Sequence, residues 1–203
     1  ESVVSKINEE KPDIVALTGD FMSRDPRVIA PLLTHLEKMK PRHGIFAVMG
    51  NHDGWAGSRP VIRRQFEKAG VSFLINQHSQ ISIRNEALAI AGTDFVWKGR
   101  PDPAKTLKGI SADTPVIALV HEPDYFDTMA AYRDISLQLS GHTHGGQLMV
   151  GHDIGAGPAM YKYWSGLYQN GASSLFVSNG VGNWFPLRTY APAEIVHLTL
   201  RRG

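Results

Sequence analysis

The sequence predicts a globular α/β protein of one domain, and three observations support this prediction. Short apolar runs typical of buried strands alternate along the chain with amphipathic segments typical of helices. A length of 203 residues is enough for one domain with a sizeable core, and 42% hydrophobic with 20% charged residues is a globular composition. Neither a repeat nor a linker divides the chain. We therefore predict a single domain over residues 1–203.

The predicted strands share one feature, since each apolar run ends directly at a glycine or at a polar residue that can bind metal. Ligands of α/β proteins gather beyond the carboxyl ends of strands, so these polar residues are expected to converge. The four runs occupy residues 14–17, 45–49, 116–120 and 135–139.

Helices are predicted between these strands. Asp25 can cap a helix that has Pro26 at its first position, and Pro31 is expected to kink or delay that helix. A second apolar stripe over residues 58–69 ends at a glycine, which is typical of a helix stop.

The sequence changes character after residue 146. Residues 175–178 and the alternating segment 195–200 predict strands of a second, more antiparallel sheet. Residues 151–171 are rich in glycine, tyrosine and tryptophan and are expected to form a long loop of the kind that shapes a substrate pocket.

The composition excludes several classes of function. The chain has no cysteine, which excludes a disulfide scaffold, a thiol nucleophile and zinc-finger or iron–sulfur ligation. Its formal net charge of +2 is spread along the chain and does not indicate nucleic-acid binding. No apolar run approaches the ~18 residues that a membrane-spanning helix needs. Whether the nine histidines are metal ligands is decided by their positions.

The polar residues at the predicted strand ends offer carboxylate, amide and imidazole donors. That mixture suits Mn, Fe, Zn, Mg or Co. Two such cations roughly 3.5–4 Å apart can hold a hydroxide and clamp the oxygens of an in-line displacement at phosphorus. The candidate metal ligands are Asp20, Asn51, His121, His142 and His144.

These motifs resemble those of the calcineurin-like metallophosphoesterases over essentially the whole chain. The extended segments 141–147 and 178–182, with 186–188 and 192–195, are similar to one branch of that family. The branch contains bacterial membrane-associated phosphoesterases, some acting on UDP-2,3-diacylglucosamine in lipid A synthesis. The motifs themselves are Gly19-Asp20, Gly50-Asn51-His52-Asp53, His121 and Gly141-His142-Thr143-His144.

The resemblance implies a layered α/β/β/α sandwich of two mixed sheets flanked by helices. It also implies two divalent metal ions, with manganese favoured, and makes Asp20 the ligand that bridges them. One ion is completed by Asn51, His121 and His142, while His144 belongs to the other.

The resemblance further implies two catalytic residues next to the ligands. His52 would contact the phosphate and protonate or stabilise the leaving oxygen, and Asp53 would orient His52. A histidine that is not coordinated to metal can supply a proton more readily than one that is.

The chain departs from the family pattern at its start. The family begins with an Asp-x-His strand that supplies two ligands to the metal served by His144, and no Asp-x-His precedes Asp20. Residues 1–9 resemble the helix that follows that strand. We therefore expect an N-terminally truncated chain without its first strand. One metal site is then complete and tight, and the second is incomplete and weak.

The expected function is hydrolysis of a phosphodiester or pyrophosphate by attack of a metal-bridging hydroxide. The branch implies a lipid-linked substrate such as UDP-2,3-diacylglucosamine and a bacterial, membrane-associated location, with the membrane surface as a further partner. The alternatives are a nuclease or cyclic-nucleotide phosphodiesterase on the same site, and a catalytically silent scaffold. The missing basic stripe disfavours long nucleic acid. Retention of the motif residues disfavours the scaffold.

Several other residues have a structural interpretation that we favour over a functional one. Asp94 follows a further apolar run and is typical of a turn. Arg100 and Arg188 could pair with a phosphate but are expected to be solvated. The tryptophans could line an acyl or nucleoside pocket but are expected to pack, and the basic helix face could meet lipid headgroups but is expected to be solvated. The histidines outside the motifs are expected to be solvated or locally hydrogen-bonded, and they are His35, His43, His78, His152 and His197. The tryptophans are Trp55, Trp97, Trp164 and Trp184, and the basic helix face consists of Arg59, Arg63, Arg64 and Lys68.

Overall fold

A computed structural model describes residues 2–23, 25–57 and 59–201 of the chain. Helices alternate with strands along most of it. The amino-terminal part contains α1 (Ser2–Glu9), β1 (Val15–Leu17), α2 (Ile29–Leu36), β2 (Ile45–Ala47), α3 (Asn51–Ala56), α4 (Arg59–Lys68) and β3 (Val71–Phe73). The remainder contains β4 (Gln77–Ile83), β5 (Glu86–Gly92), α5 (Pro103–Leu107), β6 (Val116–Leu119), α6 (Phe126–Tyr132), β7 (Leu137–Ser140), α7 (Ala156–Met160), β8 (Gly166–Asn170) and β9 (Ser173–Val177).

The strands form two sheets. The smaller sheet has the order β1-β2-β3 and is parallel. The larger sheet has the order β4-β5-β6-β7-β9-β8 and is mixed, because its four central strands are parallel and its two edge strands are antiparallel to their neighbours.

Alternation along the strands places the two sheets face to face. Phe46 and Val48 of the smaller sheet pack with Ile90 and Leu119 of the larger one in a core between them. The opposite face of each sheet is covered by helices, as the second core cluster shows where Met129 of α6 packs on the larger sheet. Four layers result, so the predicted arrangement of two sheets flanked by helices is confirmed.

The predicted helices are present, with small shifts at their starts. The carboxylate of Asp25 accepts a hydrogen bond from the Arg27 amide and caps a 3₁₀ turn, after which α2 begins. Pro31 is the third residue of α2. The N–H groups of a first turn have no partner within the helix, so proline is accommodated there. The helix predicted over residues 58–69 is α4, and Ser58 lies outside the described residues.

Two expectations for the carboxyl-terminal part are wrong. The region 151–171 is not one loop, because it contains α7 and β8. The alternating segment 195–200 forms no described strand, and none of the described strands pairs with it. A strand needs a paired neighbour whatever its side-chain pattern.

The predicted second, antiparallel sheet after residue 146 is also wrong as a separate sheet. Strands β8 and β9 pair antiparallel with each other, but β9 pairs in parallel with β7 and so extends the larger sheet. Among the helices that the structure describes, none combines the length and the apolar character that crossing a membrane requires.

Candidate metal centre

The candidate centre lies where four strands of the two sheets end. Asp20 follows β1, Asn51 opens α3 shortly after β2, His121 follows β6, and His142 follows β7. Potential ligand atoms of Asp20, His121 and His142 all lie within 4.8 Å of one another. The expected convergence of the polar strand ends is therefore observed for these residues.

His121 is at the middle of the cluster. Its Nε2 atom lies 3.2 Å from Asp20 Oδ2, 3.1 Å from Asn51 Oδ1 and 3.1 Å from His142 Nδ1. Its Nδ1 atom lies 2.7 Å from the carbonyl oxygen of Thr18. A carbonyl oxygen only accepts, so Nδ1 donates to it, and in the neutral ring Nε2 presents its lone pair to the cluster.

The cluster fits a divalent cation. Its converging atoms are a carboxylate oxygen, an amide oxygen and imidazole nitrogens, and the side chains of Asn51 and His121 are buried. Acceptors held this close need a proton or a metal ion between them. Oxygen and imidazole ligands without thiolate match Mn, Fe, Zn, Mg or Co rather than a soft metal.

The ionisable groups of the centre shift one another's pKa values. Burial lowers the pKa of His121, but hydrogen bonding to Asp20 and the charge of Asp20 outweigh it and raise that pKa to about 9. Burial raises the pKa of Asp20, but its interactions with His121 and the His52 amide bring it below the usual value. Burial and the charge of His121 lower the pKa of His142 to about 3. His142 is therefore neutral and able to act as a ligand, whereas His121 would lose a proton on binding a metal ion.

Three of the candidate ligands have a left-handed backbone. The φ angles are 59° at Asp20, 69° at His142 and 52° at His144. Such conformations cost of order 1–3 kcal/mol each for residues other than glycine and persist only where the surroundings enforce them. Their concentration at one place is typical of a functional site.

The carboxylate of Asp53 enforces the conformation at Asp20. One of its oxygens accepts hydrogen bonds from the amides of Asp20 (2.8 Å) and Gly50 (2.9 Å). The other accepts from the amides of Phe21 (2.8 Å) and Met22 (3.2 Å). Asp53 is fully buried, and it ties the loop after β1 to the start of α3.

These contacts differ from the expected role of Asp53 in orienting His52. Among the described residues, the ring of His52 has Nδ1 3.2 Å from the carbonyl oxygen of Ser23, and its backbone amide donates to Asp20 Oδ1 at 2.9 Å. The carboxylate of Asp53 holds the backbone around Asp20 instead. The reason is its position on α3, where it faces the loop after β1.

Gly50 allows the close approach of that loop. A Cβ atom on Gly50 would overlap the carboxylate oxygen Oδ1 and the backbone nitrogen of Asp20. We predict that Gly50→Ala weakens Mn²⁺ affinity, measured by calorimetric titration, by about 10–100-fold, the effect typical of disturbing the residues that support a metal ligand. Gly151→Ala is the matched control, because a Cβ there meets open space. Equal affinities of the two variants would contradict this role of Gly50.

His144 lies beside the cluster rather than within its closest group. Its Nδ1 atom is 3.0 Å from the carbonyl oxygen of Gly182, and its ring centroid is 5.1 Å from that of Trp184. Nδ1 therefore donates to the carbonyl, which leaves Nε2 available as a ligand atom.

Arg188 supports the same region in an unexpected way. Its guanidinium donates to the carbonyl oxygens of His144 (3.1 Å), Asn179 (3.0 Å) and Ala191 (2.9 Å). It is thus neither a solvated arginine nor free to pair with a phosphate. It joins the segments 178–182 and 188–191 to the loop that carries His144.

Two buried polar residues were not singled out by the sequence. Gln147 donates to the carbonyl oxygens of Phe185 and Leu187 at 3.0 Å and accepts from the Trp184 amide at 2.9 Å. Glu122 is 6% exposed, and one of its carboxylate oxygens has no hydrogen-bond partner among the described residues. The available signal was their position, since Glu122 directly follows His121 and Gln147 ends the segment 141–147 that contains His142 and His144.

Residues with an expected structural role mostly have one. Asp94 is buried and forms an ion pair at 3.0 Å with Arg59, the first residue of α4, so this arginine binds the turn at Asp94 instead of being solvated. His78, His152 and His197 each form a local contact, with the Thr106 carbonyl, Asp153 and Glu10 respectively.

Comparisons with known proteins agree with this geometry. The calcineurin-like phosphoesterase family profile matches residues 1–146. The chain is 33% identical over 210 residues to the uncharacterized metallophosphoesterase YkuE of Bacillus subtilis, covering 99% of this chain and 72% of that protein. It is 33% identical over 205 residues to phosphodiesterase YaeI of Escherichia coli, covering 95% and 72%.

The similarity to the two metallophosphoesterases of Helicobacter pylori spans less of their length, 54% of each. Among solved structures, a phosphopantetheinyl hydrolase of Mycobacterium tuberculosis is similar with a TM-score of 0.51 and 11% sequence identity, covering 82% of this chain and 78% of that one. At this identity the likeness concerns the fold.

Proposed function

The chain belongs to the calcineurin-like phosphoesterase family and is a hydrolase of phosphoric esters, and from this premise we propose that its substrate is a phosphodiester. The observation that carries the proposal is the convergence of Asp20, His121 and His142 on one point. The similarity to a phosphodiesterase of Escherichia coli supports a diester rather than a monoester. Since both sheets contribute to the centre, we also propose that residues 1–203 act as one domain.

Asp20, Asn51, His121 and His142 would hold one divalent ion, and Asp20 with His144 would contribute to a second. Divalent ions supply an activated water and neutralise charge on the phosphoryl group. Manganese is the proposed metal because the resemblance to the family favours it, and the oxygen and imidazole ligands are compatible with Mn as they are with Fe, Zn, Mg or Co. Asp53 keeps Asp20 in its left-handed conformation through the backbone amides around it.

His52 is the proposed proton donor to the departing oxygen. Its backbone is next to the candidate ligand Asn51, but its ring lies outside the closest ligand group and is partly exposed. Its Nδ1 donates to the Ser23 carbonyl, which fixes the ring and leaves Nε2 to carry the transferred proton. We therefore propose that the carbonyl oxygen of Ser23, and not the carboxylate of Asp53, orients the ring of His52.

The test is hydrolysis of bis-p-nitrophenyl phosphate with added Mn²⁺. We predict that His52→Ala lowers kcat/KM by about 10²–10⁴-fold, the contribution typical of general acid catalysis, while the Mn²⁺ content of the protein is unchanged. His197→Ala is the control, because this exposed histidine contacts Glu10 instead of the centre. Full activity of His52→Ala would remove His52 from the mechanism, and no Mn²⁺-dependent hydrolysis by the wild type would remove the proposed function.

A lipid-linked ester or pyrophosphate is a second candidate substrate. Four apolar side chains are exposed in the segment that contacts His144, namely Val181, Trp184, Phe185 and Leu187. Exposed apolar groups beside a polar centre favour a substrate with an acyl chain and a contact with the membrane surface of a bacterium. Faster turnover of UDP-2,3-diacylglucosamine in detergent micelles than of cyclic nucleotides or single-stranded DNA is the result expected for this candidate.

A further inference from the structure

Two tryptophan side chains lie next to each other at the edge of the metal centre. Trp55 is on α3, one turn after His52, and the ring centroids of these two residues are 4.8 Å apart. Trp97 follows β5, and its ring centroid is 6.2 Å from that of Trp55, with the two planes inclined by 48°. His52, Trp55 and Trp97 therefore form a row of three neighbouring rings.

Both indole side chains are unusually exposed for their size. Trp55 is 42% exposed and Trp97 is 59% exposed. Scattered apolar side chains on a surface need no explanation, but adjacent large ones beside a polar centre are typical of a binding site. Trp164, in contrast, packs against Gly157, and Trp184 lies next to His144, so among the described residues only Trp55 and Trp97 form a pair of tryptophans.

Asp94 and Arg59 hold the loop that carries Trp97 in place. The buried carboxylate of Asp94 accepts hydrogen bonds from the amides of Phe95 (3.0 Å) and Arg100 (2.9 Å), which closes the loop. Arg59 pairs with Asp94 and donates to the Lys98 carbonyl at 3.0 Å. The conformation of the loop is thus set before any ligand arrives, which reduces the entropy lost on binding.

A residue next to the metal centre also holds this loop in place. Glu122 directly follows the candidate ligand His121, and its Oε1 atom accepts a hydrogen bond from the Trp97 amide at 3.4 Å. The position of Trp97 is therefore coupled to a residue adjacent to the candidate metal ligands. This is the arrangement expected of a ring that belongs to the substrate site.

We propose that Trp55 and Trp97 form a subsite that stacks a planar aromatic ring in the departing group of the ester, either a nucleobase or an aryl ring. This inference rests on the proposed function, because His52, next to Trp55, donates the proton to that departing group. Aromatic rings attract one another through their quadrupoles in offset or tilted contacts, an attraction that a saturated ring of the same size lacks. Stacking on tryptophan tolerates different bases because every base has a π face.

The test compares two inert ligands of similar shape, phenylphosphonate and cyclohexylphosphonate, by calorimetric titration of the Mn²⁺-loaded protein. The wild type is expected to bind phenylphosphonate about tenfold more tightly. In Trp97→Ala and in Trp55→Ala this ratio is expected to fall to within about twofold of unity. Adenosine 5′-thiomonophosphate supports a nucleobase as the occupant if it binds more tightly than phenylphosphonate, and a smaller aryl ring if it binds more weakly.

Tyr132→Ala is the matched control, because this tyrosine is equally exposed but lies at the end of α6. Its variant should keep the full preference. Equal binding of both phosphonates by the wild type would overturn the subsite and leave the proposed function intact. Binding of neither phosphonate, together with no Mn²⁺-dependent hydrolysis, would overturn both. The side chain of Trp97 is 59% exposed, so its removal should not prevent folding. Trp97→Ala therefore tests the subsite even if Trp55→Ala does not fold.

Discussion

Asp20→Ala is expected to abolish Mn²⁺ binding and to lower kcat/KM for bis-p-nitrophenyl phosphate by at least about 10³-fold, because bound metal supplies several kcal/mol of transition-state stabilisation. Asp20 is the only carboxylate in the described group of converging ligand atoms, with Oδ2 3.2 Å from His121 Nε2. Without it, neutral donors alone would have to hold a divalent ion. Metal analysis of the purified variant and steady-state kinetics measure the two effects.

Two further variants distinguish the loss of the Asp20 charge from a nonspecific effect of the substitution on the protein. Asp20→Asn keeps the size of the side chain and an oxygen that can accept from the His52 amide, so its loss of metal affinity reports the missing charge. Asp13→Ala is the control, because this exposed carboxylate pairs only with Arg42 among the described residues. Wild-type metal content and activity in Asp20→Ala would exclude Asp20 as a ligand.

Asp53→Asn is expected to lower the free energy of unfolding by about 3–5 kcal/mol, the largest effect on stability that we predict. Both oxygens of Asp53 accept backbone N–H groups, two on each side. An asparagine would point its own NH₂ group at one of these pairs in either orientation. Two buried amides would then lose their acceptor, at a cost of about 1–3 kcal/mol each. Urea unfolding of the metal-free protein measures the change.

Asp102→Asn is the matched control for this replacement. Asp102 caps α5 and accepts a hydrogen bond from the Lys105 amide through a single oxygen, at 2.9 Å. Asparagine is as good a helix cap as aspartate, so the unfolding free energy should change by less than about 0.5 kcal/mol. A similar small change in Asp53→Asn would show that the four amides do not depend on the carboxylate.

The Asp53 variant also distinguishes the two views of this residue. A residue that orients only His52 would affect the proton transfer and leave metal affinity unchanged. The observed contacts instead connect Asp53 to the backbone of Asp20 and Gly50. We therefore expect Mn²⁺ affinity to fall together with stability in Asp53→Asn.

The strands that surround the centre were predictable because their side chains are buried on both faces. Residues 45–48 and 116–120 are continuous apolar runs, and alternate residues pack between the sheets or against the helices. The segment 195–200 also has a strand-like pattern, in which apolar residues alternate with polar ones, but it has no neighbouring strand among the described residues. Whether another strand lies beside a segment and pairs with it cannot be read from the side-chain pattern of that segment.

The sequence by itself determined the donor set of the centre, because the chemistry of a carboxylate, an amide and imidazoles is local and strand ends bring them together. Only the tertiary structure decided how these residues are supported. Asp53 bonds to amides about 30 residues before it, and Arg188 bonds to the carbonyl of His144, 44 residues away. The pairing of Trp55 with Trp97 likewise joins a helix to a distant loop. Such contacts depend on how distant segments pack, and spacing along the chain carries no record of that packing.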